Sequence, residues 1–327
     1  MGKGPNPQWM IYPANPENAV STNQLPCHTS YYYTGAEPCI SLEKPFTNIV
    51  NGLICIWHKN PRQMELLNLT TRERMALPLP PGNQKGKPTF CLGFDPVKKQ
   101  YKVLGSSHTR KNRYVMTLSN DMSWRKVANL PRVPISRSHT CVDGAIFWRK
   151  DLYEGGRREV QYFDIAEERF KLLNIKEQVG LKYFDMNFVT DIGGKFTWAG
   201  LLRTSNLPEI RITLWTLINK HDLDWVESQV QIPKCRIPRK IISFRNISIV
   251  GCTTDSSKVL IKSSLNTGNQ TRDSLIFYNL ETQEFRTVQL RFEEMKLSSK
   301  IIGFDVSFHV ENILPLNFSN VPPSTVS

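Results

Sequence analysis

Residues 49–81 read IVNGLICIWHKNPRQMELLNLTTRERMALPLPP. Asn51-Gly52 is a hairpin dipeptide, since both residues reach positive φ at low cost. An apolar run, Leu53-Ile54-Cys55-Ile56-Trp57, leaves this turn. A second short strand carries Met64, Leu66 and Leu67, a polar turn covers 68–74, and the chain exits through Leu77-Pro78-Leu79-Pro80-Pro81. Strand, strand, charged turn and Leu-Pro exit make up one antiparallel unit.

Weaker versions follow at a period of roughly 40–50 residues, the spacing of propellers and other repeated sheet arrays. In the second, Phe90 to Phe94 runs into Asp95-Pro96, a tight turn in which Pro fixes φ and Asp bonds the backbone ahead. Tyr101-Lys102-Val103-Leu104 alternates out of it, Tyr114 to Leu118 follows, and Leu130-Pro131 repeats the exit. In the third, His139 to Val142 meets Asp143-Gly144, a type I′ signal answered by Ala145-Ile146-Phe147-Trp148. The fourth turns at Gly193-Gly194, and the fifth carries strands around 247–250, 257–262, 274–280 and 284–288. A last strand pair is expected over 301–310, and only 176–179 and 292–296 suggest short helices. Trp124, Trp148, Trp215 and Trp225 recur at similar places and are read as strand-end aromatics packing between neighbouring units. The fold class is all-β, an antiparallel propeller-like array of about five to six hairpin units. The expected organisation is an irregular segment over 1–45, a candidate part of the first unit, then the array over 46–312 and a tail over 313–327. If 1–45 supplies that strand, its removal exposes a sheet edge.

The chain has 327 residues, 40% hydrophobic and 22% charged, the composition of a folded globular protein. No run of ~18 apolar residues is long enough to span a membrane, and the N-terminus lacks the apolar core of a signal peptide. These features lead to an expectation of a cytoplasmic or nuclear location. Seven cysteines, none in a C-x-x-C pair, read as buried free thiols, and four N-x-S/T sequons read as chance matches. Lys and Arg exceed Asp and Glu by 42 to 29, giving +13. That balance admits nucleic acid or another polyanion as an alternative partner, although the charge is dispersed among turn segments.

No catalytic, cofactor or metal site is legible. His28, His58, His108, His139, His221 and His309 form no metal-ligand spacing, and G-x-S-x-G and phosphate-loop patterns are missing. An enzyme with a loop-built site has no positive feature in its favour. The partner surface is expected on the irregular loops 105–113, 149–158 and 263–273, where His108, Arg110, Lys111, Arg113, Arg157 and Arg158 would present positive charge. Arg at such a surface suits carboxylate or phosphate, so the expected partner is an acidic or phosphorylated protein.

The order and spacing of several short motifs resemble the plant F-box-associated domain. They are NGLIC (51–55), GFDP (93–96) with YKVL (101–104), SWRKV (123–127) and CVDGAIFW (141–148). Phe163-Asp164-Ile165 with Glu168-Arg169-Phe170, Leu214-Trp215, YNL (278–280) with FRTV (285–288), and HVEN (309–312) complete the series. The resemblance implies a non-enzymatic protein-interaction module that presents substrates to an SCF-type ubiquitin ligase. The helical F-box that precedes the domain in this family has no counterpart in 1–50, where Trp9 to Asn18 instead resembles the segment just after it. Contact with the SCF adaptor and cullin is therefore expected only through a cryptic docking element.

Overall fold

The computed structural model describes residues 24–25, 47–58, 62–81, 89–106, 112–128, 139–150, 159–173, 186–202, 209–219, 224–233, 247–252, 258–267, 270–290 and 316. All regular structure among them is β-strand. The chain divides into two compact units.

The larger unit comprises Lys44–Gly200, Leu214–Glu227 and His309–Ser327. Its first sheet has three strands, β2 (Leu53–His58), β3 (Gln63–Asn68) and β4 (Arg74–Leu77), paired antiparallel in that order. A rudimentary fourth strand runs beside β2: Val50 and Leu53 exchange backbone bonds of 2.9 and 3.0 Å, and Thr47 N–H donates to the Cys55 carbonyl. The next two sheets are complete. One is β5 (Thr89–Asp95), β6 (Gln100–Ser106), β7 (Arg113–Thr117) and β8 (Trp124–Lys126). The other is β9 (His139–Val142), β10 (Ala145–Lys150), β11 (Glu159–Asp164) and β12 (Arg169–Leu173). A fourth sheet is ordered β13 (Met186–Ile192), β14 (Lys195–Leu202), β15 (Glu209–Asn219) and β16 (Asp224–Pro233).

Three apolar clusters separate successive sheets, and the period of two along each strand decides which residue enters which cluster. Phe90, Leu92, Val103 and Met116 join Leu53, Trp57, Met64 and Leu66 of the first sheet. Their sequence neighbours Cys91, Leu104 and Val115 join Ile146, Trp148, Phe163 and Ile165 of the third. Ala145, Phe147, Val160 and Tyr162 then meet Val189, Phe196, Trp198 and Trp215 of the fourth. Burial on both faces explains why these strands read as continuous apolar runs where a half-exposed sheet would alternate. Trp148 and Trp215 pack between sheets as expected, but from mid-strand positions.

The smaller unit, Met1–Glu43, Leu201–Thr213 and Ser228–Phe308, holds a sheet of β17 (Ile247–Cys252), β18 (Lys258–Thr267), β19 (Gln270–Asn279) and β20 (Phe285–Leu290). From the N-terminal segment, β1 (Gln24–Leu25) adds to it in parallel, opposite Gln289 and Leu290. Of the expected irregular loop 263–273, residues 263–267 and 270–273 are paired strand: β18 and β19 stay in register from Lys258↔Asn279 to Thr267↔Gln270. Gly268-Asn269 between two runs rich in Ser, Thr and Asn is the two-residue hairpin signal that explains this. The strand pair expected over 301–310 and the helices suggested at 176–179 and 292–296 lie outside the described residues.

Candidate functional site

Antiparallel pairing gives each sheet two different ends. One end carries tight turns. Asn51-Gly52 and Asp143-Gly144 have positive φ at both positions (46° and 77°, 46° and 68°), the type I′ geometry their sequences call for. Four further turns share a single plan: an Asx side chain caps the backbone ahead, and the fourth residue after it takes the left-handed conformation. Asn68 Oδ1 accepts from the N–H groups of Thr70 and Thr71, and Arg72 has φ 66°. Asp95 Oδ1 accepts from Val97 and Lys98 before Lys99 at 52°, and Asp164 Oδ1 accepts from Glu167 before Glu168 at 55°. Asn279 Oδ1 accepts from Glu281 and Thr282 before Gln283 at 57°. Asn68 heads one of the four sequons, yet it is fully buried in this role, so that sequon is no acceptor site.

At the turn end, side chains also fasten the second sheet to the third. The Lys102 ammonium, 5% exposed, donates to the Ile165 carbonyl and to Glu168 Oε1, both at 2.8 Å. Arg125 Nη2 donates to the same Oε1 at 2.6 Å and to Thr117 Oγ1. Burial pushes the Glu168 carboxyl up, but the hydrogen bonds and charges of Lys102 and Arg125 outweigh it and hold the group below the usual glutamate range. Beneath this latch the backbone of Gly93 lies close to Ile165; a Cβ there would stand 2.6 Å from Ile165 Cδ1 and 3.0 Å from Ile146 Cδ1.

The opposite end bears the connections 59–61, 107–111 and 151–158. Its described residues form an aromatic and basic group. Trp57 faces Phe90 at 6.2 Å between ring centroids, and the exposed Arg62 lays its guanidinium 5.7 Å from the Trp57 ring. His58, Gln63 and Arg74 all bond to the Glu65 carboxylate, at 3.1, 2.8 and 3.4 Å. The sequence reading did not single out these residues. Trp57 and His58 in β2, followed by Arg62, were a legible signal that an aromatic–basic group closes this hairpin.

Among the residues expected to meet a partner, Arg113 alone is described. It opens β7, is 4% exposed and directs a guanidinium N–H to the Asn112 carbonyl, so it presents no charge outward. The basic loop is correspondingly shorter than the expected 105–113, since Gly105 and Ser106 belong to β6. In the same way Arg149 and Lys150 belong to β10, which shortens the expected 149–158. His108, Arg110, Lys111, Arg157 and Arg158 lie outside the described residues.

Cys55, Cys91 and Cys141 carry free thiols. Burial pushes all three up, Cys141 to about 12, so each is a protonated thiol at neutral pH and no thiolate nucleophile is available from them. Asp191 stands near Cys141; burial raises its carboxyl against the opposing backbone bonds from Gly194 and Lys195. His139 bonds Asn48 Oδ1 at 2.7 Å. Among the described residues no three His, Cys, Asp or Glu side chains gather as a metal-binding group.

The family model described as "F-box associated beta propeller domain" matches residues 8–314. Three Arabidopsis thaliana proteins are similar. F-box protein At1g53790 is 28% identical over 75% of this chain and 54% of its own length. F-box protein At5g65850 is 22% identical over 84% and 68%, and putative F-box protein At1g53550 is 25% identical over 88% and 72%. The chain thus spans about half the length of the first relative.

Proposed function

The chain belongs to the F-box associated β-propeller domain family, and from that premise we propose that it is a non-enzymatic protein-interaction module, the target-presenting part of an SCF-type ubiquitin-ligase receptor. The observation that carries this reading is the family match over 8–314, nearly the whole chain. Protonated core thiols and a latched turn end agree with a rigid holder of another protein. The proposal concerns target binding, the part of that role assigned to the matched domain.

The target in this reading is an acidic or phosphorylated protein held at the end opposite the tight turns. The sequences that connect the strands at that end carry Lys59, His108, Arg110, Lys111, Arg157 and Arg158, and the described Arg62 opens onto the same end. Their guanidinium groups suit bidentate recognition of carboxylate or phosphate.

The test compares the immobilised full chain with an Arg110→Glu, Arg157→Glu, Arg158→Glu variant in plant-cell extract. Captured material is identified and blotted for cullin and the F-box-binding adaptor. One protein held by the parent and lost from the variant is the expected result, and adaptor and cullin arriving with it mark a working receptor. Equal capture by both chains removes the basic loops from the reading. Capture of nucleic acid, with log affinity falling steeply against log salt, replaces it with the polyanion alternative suggested by +13.

A further inference from the structure

We propose that the turn end of the β2–β4 sheet is a docking site for a leucine-bearing segment, and that Leu316 of the same chain is its displaceable resident. Leu316 lies 243 residues beyond Glu73, and its backbone N–H donates to Glu73 Oε2 at 2.9 Å. Its half-buried side chain packs against the apolar cluster between the first and second sheets, to which Val50, Leu53, Met64 and Leu66 belong and on which the partly buried Met75 of β4 also rests. A main-chain bond for placement and an apolar side chain for selectivity are the two elements by which proteins read extended peptides.

The twin turn at the other end of the chain shows that this contact is not needed to build the turn. In both copies a Thr hydroxyl donates to the Glu carboxylate two residues on and accepts from that residue's N–H, in Thr71/Glu73 and in Thr282/Glu284. The backbone bonds also coincide, Arg72 to Asn68 and Asn68 to Glu73 against Gln283 to Asn279 and Asn279 to Glu284. A carboxylate has about four acceptor positions, so Glu73 makes the turn and still holds Leu316. The bond is solvent-exposed and the side chain only half covered, which suits an occupant that can leave.

This proposal is independent of the receptor reading, and either can fail alone. The probe is a dye-labelled peptide of residues 313–320, ILPLNFSN, followed by anisotropy against the full chain. A tethered segment competes at an effective concentration on the order of millimolar, so the wild-type chain should bind the peptide weakly and Leu316→Asp about tenfold or more tightly. Adding Glu73→Ala to Leu316→Asp should weaken binding about tenfold, the loss of a bond to a charged acceptor. Thermal melting establishes that the variants fold; if Leu316→Asp does not, Leu316→Ala takes its place. Equal binding by wild type and the released variant, no effect of Glu73→Ala, or equal binding of a peptide with Asp at the leucine position would each overturn the proposal.

Discussion

The second and third sheets of the larger unit are fastened to each other at the end of their tight turns, and their longer connections leave from the other end. At the turn end Lys102, Arg125 and Glu168 cross from sheet to sheet, Gly93 admits Ile165, and each Asx turn satisfies its own backbone. At the other end Arg62 lies on Trp57 and Trp57 faces Phe90, and the connecting sequences carry Lys59, Arg110, Lys111, Arg157 and Arg158. Short turns with self-bonding side chains leave little freedom, and among them Glu73 also holds Leu316. Longer connections on the same strands can change without disturbing the clusters between sheets. Under the proposed function, stability and target recognition are separated along the strand axis, and substitutions at the two ends should produce different kinds of loss.

The largest effect expected on the stability side is that of Gly93→Val. Its new side chain enters a space already filled by Ile165 and Ile146, both buried. Overpacking of this kind costs about 3 kcal/mol, a fall in Tm of about 6 °C or more for a chain of this size. Thermal melts followed by circular dichroism would measure it, and an unchanged Tm would show that the second and third sheets yield easily at the latch. Lys102→Met is expected to come next. It leaves the Ile165 carbonyl without its donor and Glu168 with Arg125 alone, a loss of about 1–3 kcal/mol. Target capture by both variants at a temperature where they remain folded should match the parent.

Acid should loosen the latch in a defined direction. The folded Glu168 carboxyl sits below its ordinary value, so the unfolded chain binds more protons in the window under about pH 4.3. Stability contributed by this group is present at neutral pH and lost as pH falls through the folded value. Asp191 acts oppositely: its carboxyl is raised, so protonation as pH falls toward about 4 relieves the burial of its charge. Urea midpoints of Glu168→Gln and Asp191→Asn against the parent from pH 7 to 3 should separate the two, with the acid loss shrinking in the first and the relief vanishing in the second. The smallest stability effect belongs to the end of the longer connections. Arg110→Glu, Arg157→Glu and Arg158→Glu together should leave the free energy within about 0.5 kcal/mol per site while abolishing capture. A comparable loss of stability would mean that the two ends are not separate.

Local signals made the strands legible. Asn51-Gly52, Asp95-Pro96 and Asp143-Gly144 fix their turns by backbone sterics, and the flanking apolar runs had no other use. Gly268-Asn269 was the same kind of signal, overlooked because the polar residues on either side resemble loop composition. Arg113 was misjudged for a related reason: a cation beside a basic loop reads as solvent-exposed, and its burial depends on the strand register that places it opposite Ser106. The latch could not have been read at all. Lys102 is one polar residue in an alternating strand, and its carboxylate lies 66 positions away. The family motifs located the domain because they are turn and core signatures, and for that reason they say little about the partner end.

The four Asx turns have a consequence for how this scaffold can be tuned. Arg72, Lys99, Glu168 and Gln283 hold left-handed backbone that L-residues adopt at a cost of about 1 kcal/mol and glycine adopts freely. Setting aside Glu168, which is committed to the latch, three positions with no shared partners remain in three different sheets. Changes at such sites add, so the thermal tolerance of the protein could be adjusted in small, separable increments, a control over lifetime in which Lys99 and Gln283 are free of the contact that Glu73, beside Arg72, makes with Leu316.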